Sequence, residues 1–164
     1  MFTDIETERL RLRPLREADR QAMVDLHTDP RTNRFERDPP DVPKAVELFD
    51  KWLVHWAEHG FGYLVVTDHG GEVLGLCGVR YRDFRGEKVL NLGYRFLPSA
   101  WGKGYAVEAG RAVLDWCARE QPGVPVVASV YLDNKPSIRT AERLGFTEYT
   151  EESHEGQFGR HYRR

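Results

Sequence analysis

The chain has 164 residues, enough for one domain with a proper core, and is 40% hydrophobic and 30% charged, an ordinary globular composition. Its formal net charge of −2 argues against a dedicated nucleic-acid binder, and it has no apolar run long enough to span a membrane. The acidic start Met1-Phe2-Thr3-Asp4-Ile5-Glu6 lacks the apolar core of a secretory signal, and Cys77 and Cys117 lie in apolar runs, which together predict a cytoplasmic protein with buried, reduced thiols.

In chain order, Arg9-Leu10-Arg11-Leu12-Arg13 alternates strictly, the pattern of a strand with one buried face, and Pro14 ends it. Glu17 to His27 places Ala18, Ala22, Met23 and Leu26 at helical spacing, stopped by Asp29-Pro30. Thr32 to Pro43, rich in proline and charge, reads as a loop or short helix. Lys44 to His59 predicts a helix with Ala45, Phe49, Trp52, Leu53 and Trp56 as its apolar stripe. Phe61 to Thr67 and Glu72 to Tyr81 are β-rich, with His69-Gly70-Gly71 as a hairpin turn between them. Val89 to Leu97 is the next strand, with Leu90, Leu92, Tyr94 and Phe96 on one face and Asn91, Gly93 and Arg95 on the other. Ala106 to Arg119 predicts a helix with Ala106, Gly110, Val113, Leu114 and Cys117 inward. Val124 to Leu132 is a strongly apolar strand. Lys135 to Leu144 is a short helix stopped by Gly145. Thr147–Thr150 and Gln157–Tyr162 close as an antiparallel pair. No repeat or linker divides the chain, so the order gives a single α/β (α+β mixed) domain over residues 1–164 with a mixed sheet.

Two strand-to-helix turns carry the chemistry. Pro98-Ser99-Ala100-Trp101-Gly102-Lys103-Gly104-Tyr105-Ala106 is small and glycine-rich, so its backbone N–H groups can approach an anion at the positive end of a helix. Asp133-Asn134-Lys135-Pro136-Ser137 follows the apolar strand; Asn134 sits at a helix N-cap position and Pro136 in the first turn. A plain capping role accounts for Asn134, and a first-turn polar role for Ser137, as well as a functional one does. If the two strands are neighbours, both helix starts face one cleft.

Other patterns compete. His55-Trp56-Ala57-Glu58-His59 has a zinc-peptidase spacing, but no third ligand is indicated. His154 and His161 read as surface residues, and Glu148-Tyr149-Thr150-Glu151-Glu152 as a solvated loop rather than the lining of an amine-binding mouth. Trp52, Trp56, Phe35 and Tyr131 are candidates for an aromatic acceptor pocket, though a core role suits most of them. A P-loop hydrolase fits poorly, because Gly-Lys is not followed by Ser or Thr in frame.

Four segments resemble the GNAT N-acetyltransferase superfamily, and within it the RimJ/RimL type. They are Thr7 to Leu15 with Glu17-Ala18-Asp19, Gly71 to Gly75, Leu92 to Ala109, and Asn134 to Ser137 with Glu142 to Phe146. The resemblance implies a mostly antiparallel sheet splayed between its fourth and fifth strands, Val89–Leu97 and Val124–Leu132, with acetyl-CoA as cosubstrate and no metal. The backbone at Phe96 and Leu97 would pair with the pantetheine arm. The N–H groups from Trp101 and Gly102 through Lys103, Gly104, Tyr105 and Ala106 would hold the pyrophosphate, with Lys103 adding charge toward a phosphate or standing solvated in the turn. Asn134 would hydrogen-bond the arm, and Ser137 would protonate the leaving thiolate. Arg139 and Arg143 are candidate nucleotide contacts, or exposed surface residues. Two positions depart from the family pattern: Trp101 stands where Gln or Arg is usual, and Asn91 where many relatives carry a glutamate base.

Without that base, chemistry favours an amine that is easily deprotonated. Neutralising a lysine at pH 7 costs about 4.6 kcal/mol, an α-amine only about 1 kcal/mol. The expected activity is therefore direct acetyl transfer to a primary amine, foremost a protein or peptide N-terminus, with the oxyanion held by an N–H near Leu97. Glu36, Glu72 or Glu87 could act as a base through water. The segment Arg34 to Lys44 is expected to shape the acceptor site. A small-amine (antibiotic or polyamine) acetyltransferase and a non-catalytic acyl-CoA-binding regulator are the alternatives. The partners implied are acetyl-CoA and an amine acceptor, with no nucleic acid and no membrane, in a monomer or homodimer.

Overall fold

The computed structural model describes residues 1–154 and 157–164. The elements are β1 (Ile5–Glu6), β2 (Leu10–Pro14), α1 (Arg20–Thr28), α2 (Val42–His59), β3 (Tyr63–Asp68), β4 (Val73–Phe84), β5 (Glu87–Phe96), α3 (Tyr105–Glu120), β6 (Val126–Tyr131), α4 (Lys135–Arg143), β7 (Glu148–His154) and β8 (Gln157–Arg163). Short 3-10 turns precede α1 and follow β5. The eight strands form one sheet in the order β1-β2-β3-β4-β5-β6-β8-β7, antiparallel throughout except for β5 against β6.

The mixed sheet is expected from the pattern of elements, and its mostly antiparallel order is what the family resemblance implies. The splay lies between the expected strands; the extra two-residue β1 makes them fifth and sixth in the count. Other boundaries differ for local reasons. β4 and β5 run on to a tight hairpin at Arg85-Gly86, both with positive φ (54° and 77°), so the expected gap from Arg82 to Lys88 is strand and turn. The expected pairing of 147–150 with 157–162 forms from Glu148, and it runs on through the acidic residues Glu151 and Glu152 in the edge strand β7, so that run is not a loop. In α3 the inward small residue is Ala109, fully buried, while Ala106 is half-buried.

Two cores flank the sheet. On one face α3 and α4 cover Leu90, Leu92 and Phe96, with Ala109, Val113, Ala141 and Leu144 supplying the helix side. On the other, α1 and α2 pack Met23, Leu26, Phe49 and Trp52 on Tyr63, Val65 and Leu76. Burying each large apolar chain contributes about 1.5–3 kcal/mol. Buried Asp19 accepts two bonds at 2.9 Å from Arg13 and one at 3.0 Å from the Arg16 N–H, which pins the start of α1 to β2. On the second face α1 and α2 leave β6, β7 and β8 without a helix, so Ser129 and Thr150 lie in the open there.

Candidate functional site

The parallel pairing of β5 with β6 holds for two residues, Leu90↔Val126 and Asn91↔Val127, and then stops although both strands continue. The Leu90 N–H donates to the Pro125 carbonyl at 2.9 Å, whereas the Leu97 N–H donates to Leu74 of β4 at 2.9 Å. Backbone direction alternates along an antiparallel strand, so the N–H and C=O groups of Leu92, Tyr94 and Phe96 turn toward the gap. Of the N–H groups near Leu97 expected to serve the oxyanion, that of Leu97 itself is committed to the sheet. The Phe96 carbonyl accepts from the Trp101 indole at 2.9 Å.

Gly102 and Gly104 take φ of 76° and 79°, values that a side chain would strain, and they lead into α3. Gly104 caps that helix without a side chain, so its first-turn N–H groups have no intrahelical or capping partner. The turn is braced from behind. Glu108 accepts from the Thr7 hydroxyl at 2.6 Å, the Arg9 N–H at 2.9 Å and Arg9 Nε at 2.6 Å, while Arg9 also donates to the Lys103 carbonyl at 2.8 Å. Burial alone would raise the Glu108 pKa, but these bonds hold it below the usual carboxylate range. This explains on physical grounds why Thr7 to Arg9 belongs with the turn, a link invisible in local pattern.

At the other helix start, the Asn134 Oδ1 accepts from the Ser137 N–H at 3.1 Å, so the capping reading is realised. Its amide nitrogen remains a donor, so capping and ligand binding are compatible. Ser137 Oγ lies 2.9 Å from the Tyr94 hydroxyl, which is also 3.1 Å from the Ser137 carbonyl. Burial pushes the Tyr94 pKa well above its ordinary value, so it stays protonated. Gly102, Gly104, Tyr105 and Ala106 line the same cleft of about 700 Å³ as Asn134 and Ser137. Arg34, Arg139 and Arg143 also line it. Arg34 stacks over the Trp101 ring at 4.8 Å, so the residue that departs from the family pattern carries a cation at the cleft mouth. Lys103 is exposed and its side chain is not part of the lining. A larger groove of about 1630 Å³ runs between the N-terminal segment and α3, but it does not reach β5 or Ser137.

A second cavity, about 810 Å³, opens on the α1–α2 face and meets the first at Glu36, Tyr94 and Arg95. Residues of the 34–44 segment wall it, including Asp38, Pro40, Asp41 and Lys44, with Trp52 and Tyr63 inside. Arg95 fixes this wall by donating to Thr32, Asn33 and, at 2.6 Å, Glu36. Buried His27 faces the cavity; burial and the Arg95 charge push its pKa down to about 4, so it is neutral. Of the aromatic candidates, Trp52 lines this cavity, Phe35 and Tyr131 line the first, and Trp56 packs against Phe2, so the four do not form one pocket.

Asn91 bridges two groups: its Oδ1 accepts from Arg82 at 3.0 Å and its Nδ2 donates to the Tyr63 hydroxyl at 3.0 Å. Of the three glutamates considered as a base, Glu36 alone lines a site cavity, and it is paired to Arg95. Glu87 pairs with Arg163 at 2.6 Å near the hairpin end, and Glu72 sits beside the β3–β4 turn. Both ring nitrogens of His55 are engaged, by the Phe61 carbonyl at 2.9 Å and the Tyr81 N–H at 3.1 Å, which leaves the zinc-like spacing without a ligand at its first position. Among the described residues no His, Cys, Asp or Glu cluster could hold a metal. His161 is largely buried and its Nδ1 lies 2.7 Å from Ser129 Oγ, correcting its surface assignment; the side chain of His154 lies outside the described residues. Tyr94, Tyr63 and the Arg95 clamp were not singled out from sequence, because each acts through a partner distant in the chain.

Residues 9–147 match the model of the acetyltransferase (GNAT) domain family. A crystal structure of an acetyltransferase from Agrobacterium tumefaciens strain C58 is 30% identical, with TM-score 0.85 over 100% of this chain and 95% of that one. Two more distant structures share the fold alone. The ribosomal L7/L12 α-N-protein acetyltransferase RimL bound to coenzyme A is 17% identical, with TM-score 0.75 over 99% and 97% of the chains. A spermidine N-acetyltransferase from Vibrio cholerae with CoA and spermine is 19% identical, with TM-score 0.74 over 96% of each. No helix among the described residues is long and apolar enough to cross a membrane.

Proposed function

The chain belongs to the acetyltransferase (GNAT) domain family, as an acetyl-CoA-dependent N-acetyltransferase with the RimJ/RimL-type fold, and on that premise we propose that its acceptor is the α-amine of a protein or peptide N-terminus. The observation that carries this reading is Asn91, whose amide is locked between Arg82 and Tyr63 where a basic carboxylate would be needed to deprotonate lysine. An α-amine is neutral in roughly a tenth of molecules near pH 7, against well under a thousandth for a lysine, and needs little help.

The residues divide the work as follows. The uncapped start of α3, with Arg34, Arg139 and Arg143 around it, suits the phosphates of coenzyme A. The gap-facing backbone of Tyr94 and Phe96 offers a strand edge for the pantetheine arm, and their N–H groups are the donors for the oxyanion. The Asn134 amide steadies the arm. The amine enters from the α1–α2 cavity and attacks the thioester carbon; the C–S bond breaks, and Ser137 donates a proton to the departing thiolate. Tyr94, kept protonated by burial, orients the Ser137 hydroxyl across their 2.9 Å contact, and solvent returns the proton that Ser137 gives up. The amine's own proton leaves to water. Transfer is direct, since burial raises the thiol pKa of Cys77 far above normal and that of Cys117 to about 12, leaving no nucleophilic thiolate.

The experiment is thiol release from acetyl-CoA with a peptide whose only amine is its N-terminus, against an N-blocked peptide with one free lysine. Faster turnover of the first is expected, and faster turnover of the second overturns the reading. Asp38 and Asp41 on the cavity rim also suit a polyamine, so spermidine belongs in the same assay.

A further inference from the structure

Resting on that N-terminal reading, we infer that Arg80 and Arg82 form an anion-binding subsite that selects acceptor peptides with an acidic side chain at the second or third position. The two residues alternate on β4, and their register with β5 and β3 puts them on the sheet face that carries Tyr63, Asn91 and Gly93. This is the face from which the acceptor enters, and α2 does not extend over its β6 side.

Both guanidiniums have neutral partners. Arg80 Nε donates to the Tyr63 hydroxyl at 3.1 Å. Arg82 donates to Asn91 Oδ1 at 3.0 Å and to Ser129 Oγ at 2.9 Å. The acidic side chains nearest in register are committed elsewhere: Glu152 to Arg85, Glu87 to Arg163 and Glu36 to Arg95. Two half-buried like charges on adjacent same-face positions, with no carboxylate paired to either among the described residues, form a local excess that an anion would neutralise. Burial and the Arg80 charge hold the Arg82 pKa below its ordinary value, consistent with that excess. A carboxylate offered here gains charge-assisted, fork-shaped hydrogen bonds.

The position sets the length of the ligand. Arg82 ties β5 to β6 at Asn91 and Ser129, beside the last paired register before the strands part. Gly93 lines the acceptor cavity and lets the Tyr63 ring lie against β5, its hydroxyl 3.0 Å from where a Cβ would stand, so Tyr63 marks the point on the strand beside which the amine enters. Asn91 lies two residues back, about 7 Å along the strand. An extended peptide whose amine reacts beside Gly93 therefore lays its second or third side chain over Arg82. Asp38 and Asp41 on the opposite rim attract the protonated N-terminus on its way in, before it reaches the reacting position. A polyamine would satisfy the rim carboxylates but place cationic charge against the arginines.

The test compares kcat/KM for three peptides that differ at positions two and three: acidic, neutral and lysine-bearing, with spermidine alongside. The expected order is acidic over neutral by about tenfold, shrinking in high salt, with the lysine peptide and spermidine slowest. In R80Q and in R80Q/R82Q the acidic-to-neutral ratio falls toward one, and in R80E the lysine peptide overtakes the acidic one. Calorimetry with coenzyme A shows that each variant is folded; if R80Q/R82Q is not, R80Q and the salt series on the wild type decide. Equal rates for acidic and neutral peptides, a preference that survives in R80Q, or spermidine outpacing the acidic peptide overturns the subsite. Binding of coenzyme A with acetylation of no peptide overturns the N-terminal reading, and this inference with it.

Discussion

Replacing Ser137 by alanine removes one hydroxyl at the point where the two helix starts meet the splayed strand. The scaffold loses little. The Ser137 N–H keeps its bond to Asn134 Oδ1 at 3.1 Å, and Tyr94 keeps the Ser137 carbonyl at 3.1 Å, so no buried donor is orphaned. The stability cost is one ordinary hydrogen bond, about 1 kcal/mol. The transition state loses more, because the departing sulfur carries developing negative charge and a bond to it is charge-assisted. At about 1.5–3 kcal/mol for such a bond, kcat falls about 10- to 150-fold. The assay is thiol release at saturating acetyl-CoA and peptide, with calorimetry giving the coenzyme A affinity, expected within threefold of wild type. Tyr94→Phe removes the hydroxyl that orients Ser137, so Y94F/S137A is no slower than S137A alone. A Ser137→Ala enzyme retaining more than half its kcat refutes Ser137 as the donor, and two losses that multiply independently refute its orientation by Tyr94.

Three further outcomes follow from the same geometry. His27 is neutral in the fold with a pKa of about 4, against about 6.5 when unfolded; the unfolded chain therefore binds a proton that the native state refuses, and stability falls as pH drops from 6.5 to 4. The loss is on the order of 3 kcal/mol, read as a falling urea midpoint, and His27→Gln flattens that slope. Glu108→Ala frees Thr7 and Arg9 from the phosphate-binding turn without touching any ligand, so coenzyme A affinity drops about 5- to 30-fold by calorimetry; an unchanged affinity refutes the brace. Cys77→Ala with Cys117→Ala lowers the melting temperature but leaves kcat within twofold, and in the wild type both thiols react with a disulfide reagent only after denaturation; substantial loss of kcat in the folded double variant refutes direct transfer.

Sequence by itself determined the elements and both turns. Alternation marks β2, the 3.6-residue stripe marks α2, and glycine with a following helix marks the α3 start, because these are short-range rules of backbone sterics and one-sided burial. It also located Asn134 and Ser137, whose spacing matches an N-cap and first turn. It did not give the length of the β4–β5 hairpin, where Arg85 adopts a positive φ that its identity does not announce. The pairing of 147–150 with 157–162 was legible, but its extension through Glu151 and Glu152 was not, since β8 pairing alone enforces it.

Only the tertiary structure decided which groups act together. Tyr94 reads as one more inward residue of an alternating strand, yet its hydroxyl meets Ser137, 43 residues on. Arg9 reads as one polar position of a strand, yet it meets Glu108, 99 residues away. The Leu97 N–H, adjacent to the gap in sequence, turns out to point into β4. Arg80 and Arg82 stand uncompensated because no carboxylate arrives beside them from β3, β5 or β6. Periodicity records which side of an element is buried. Which partner waits there depends on how strands far apart in the chain are paired and where that pairing stops.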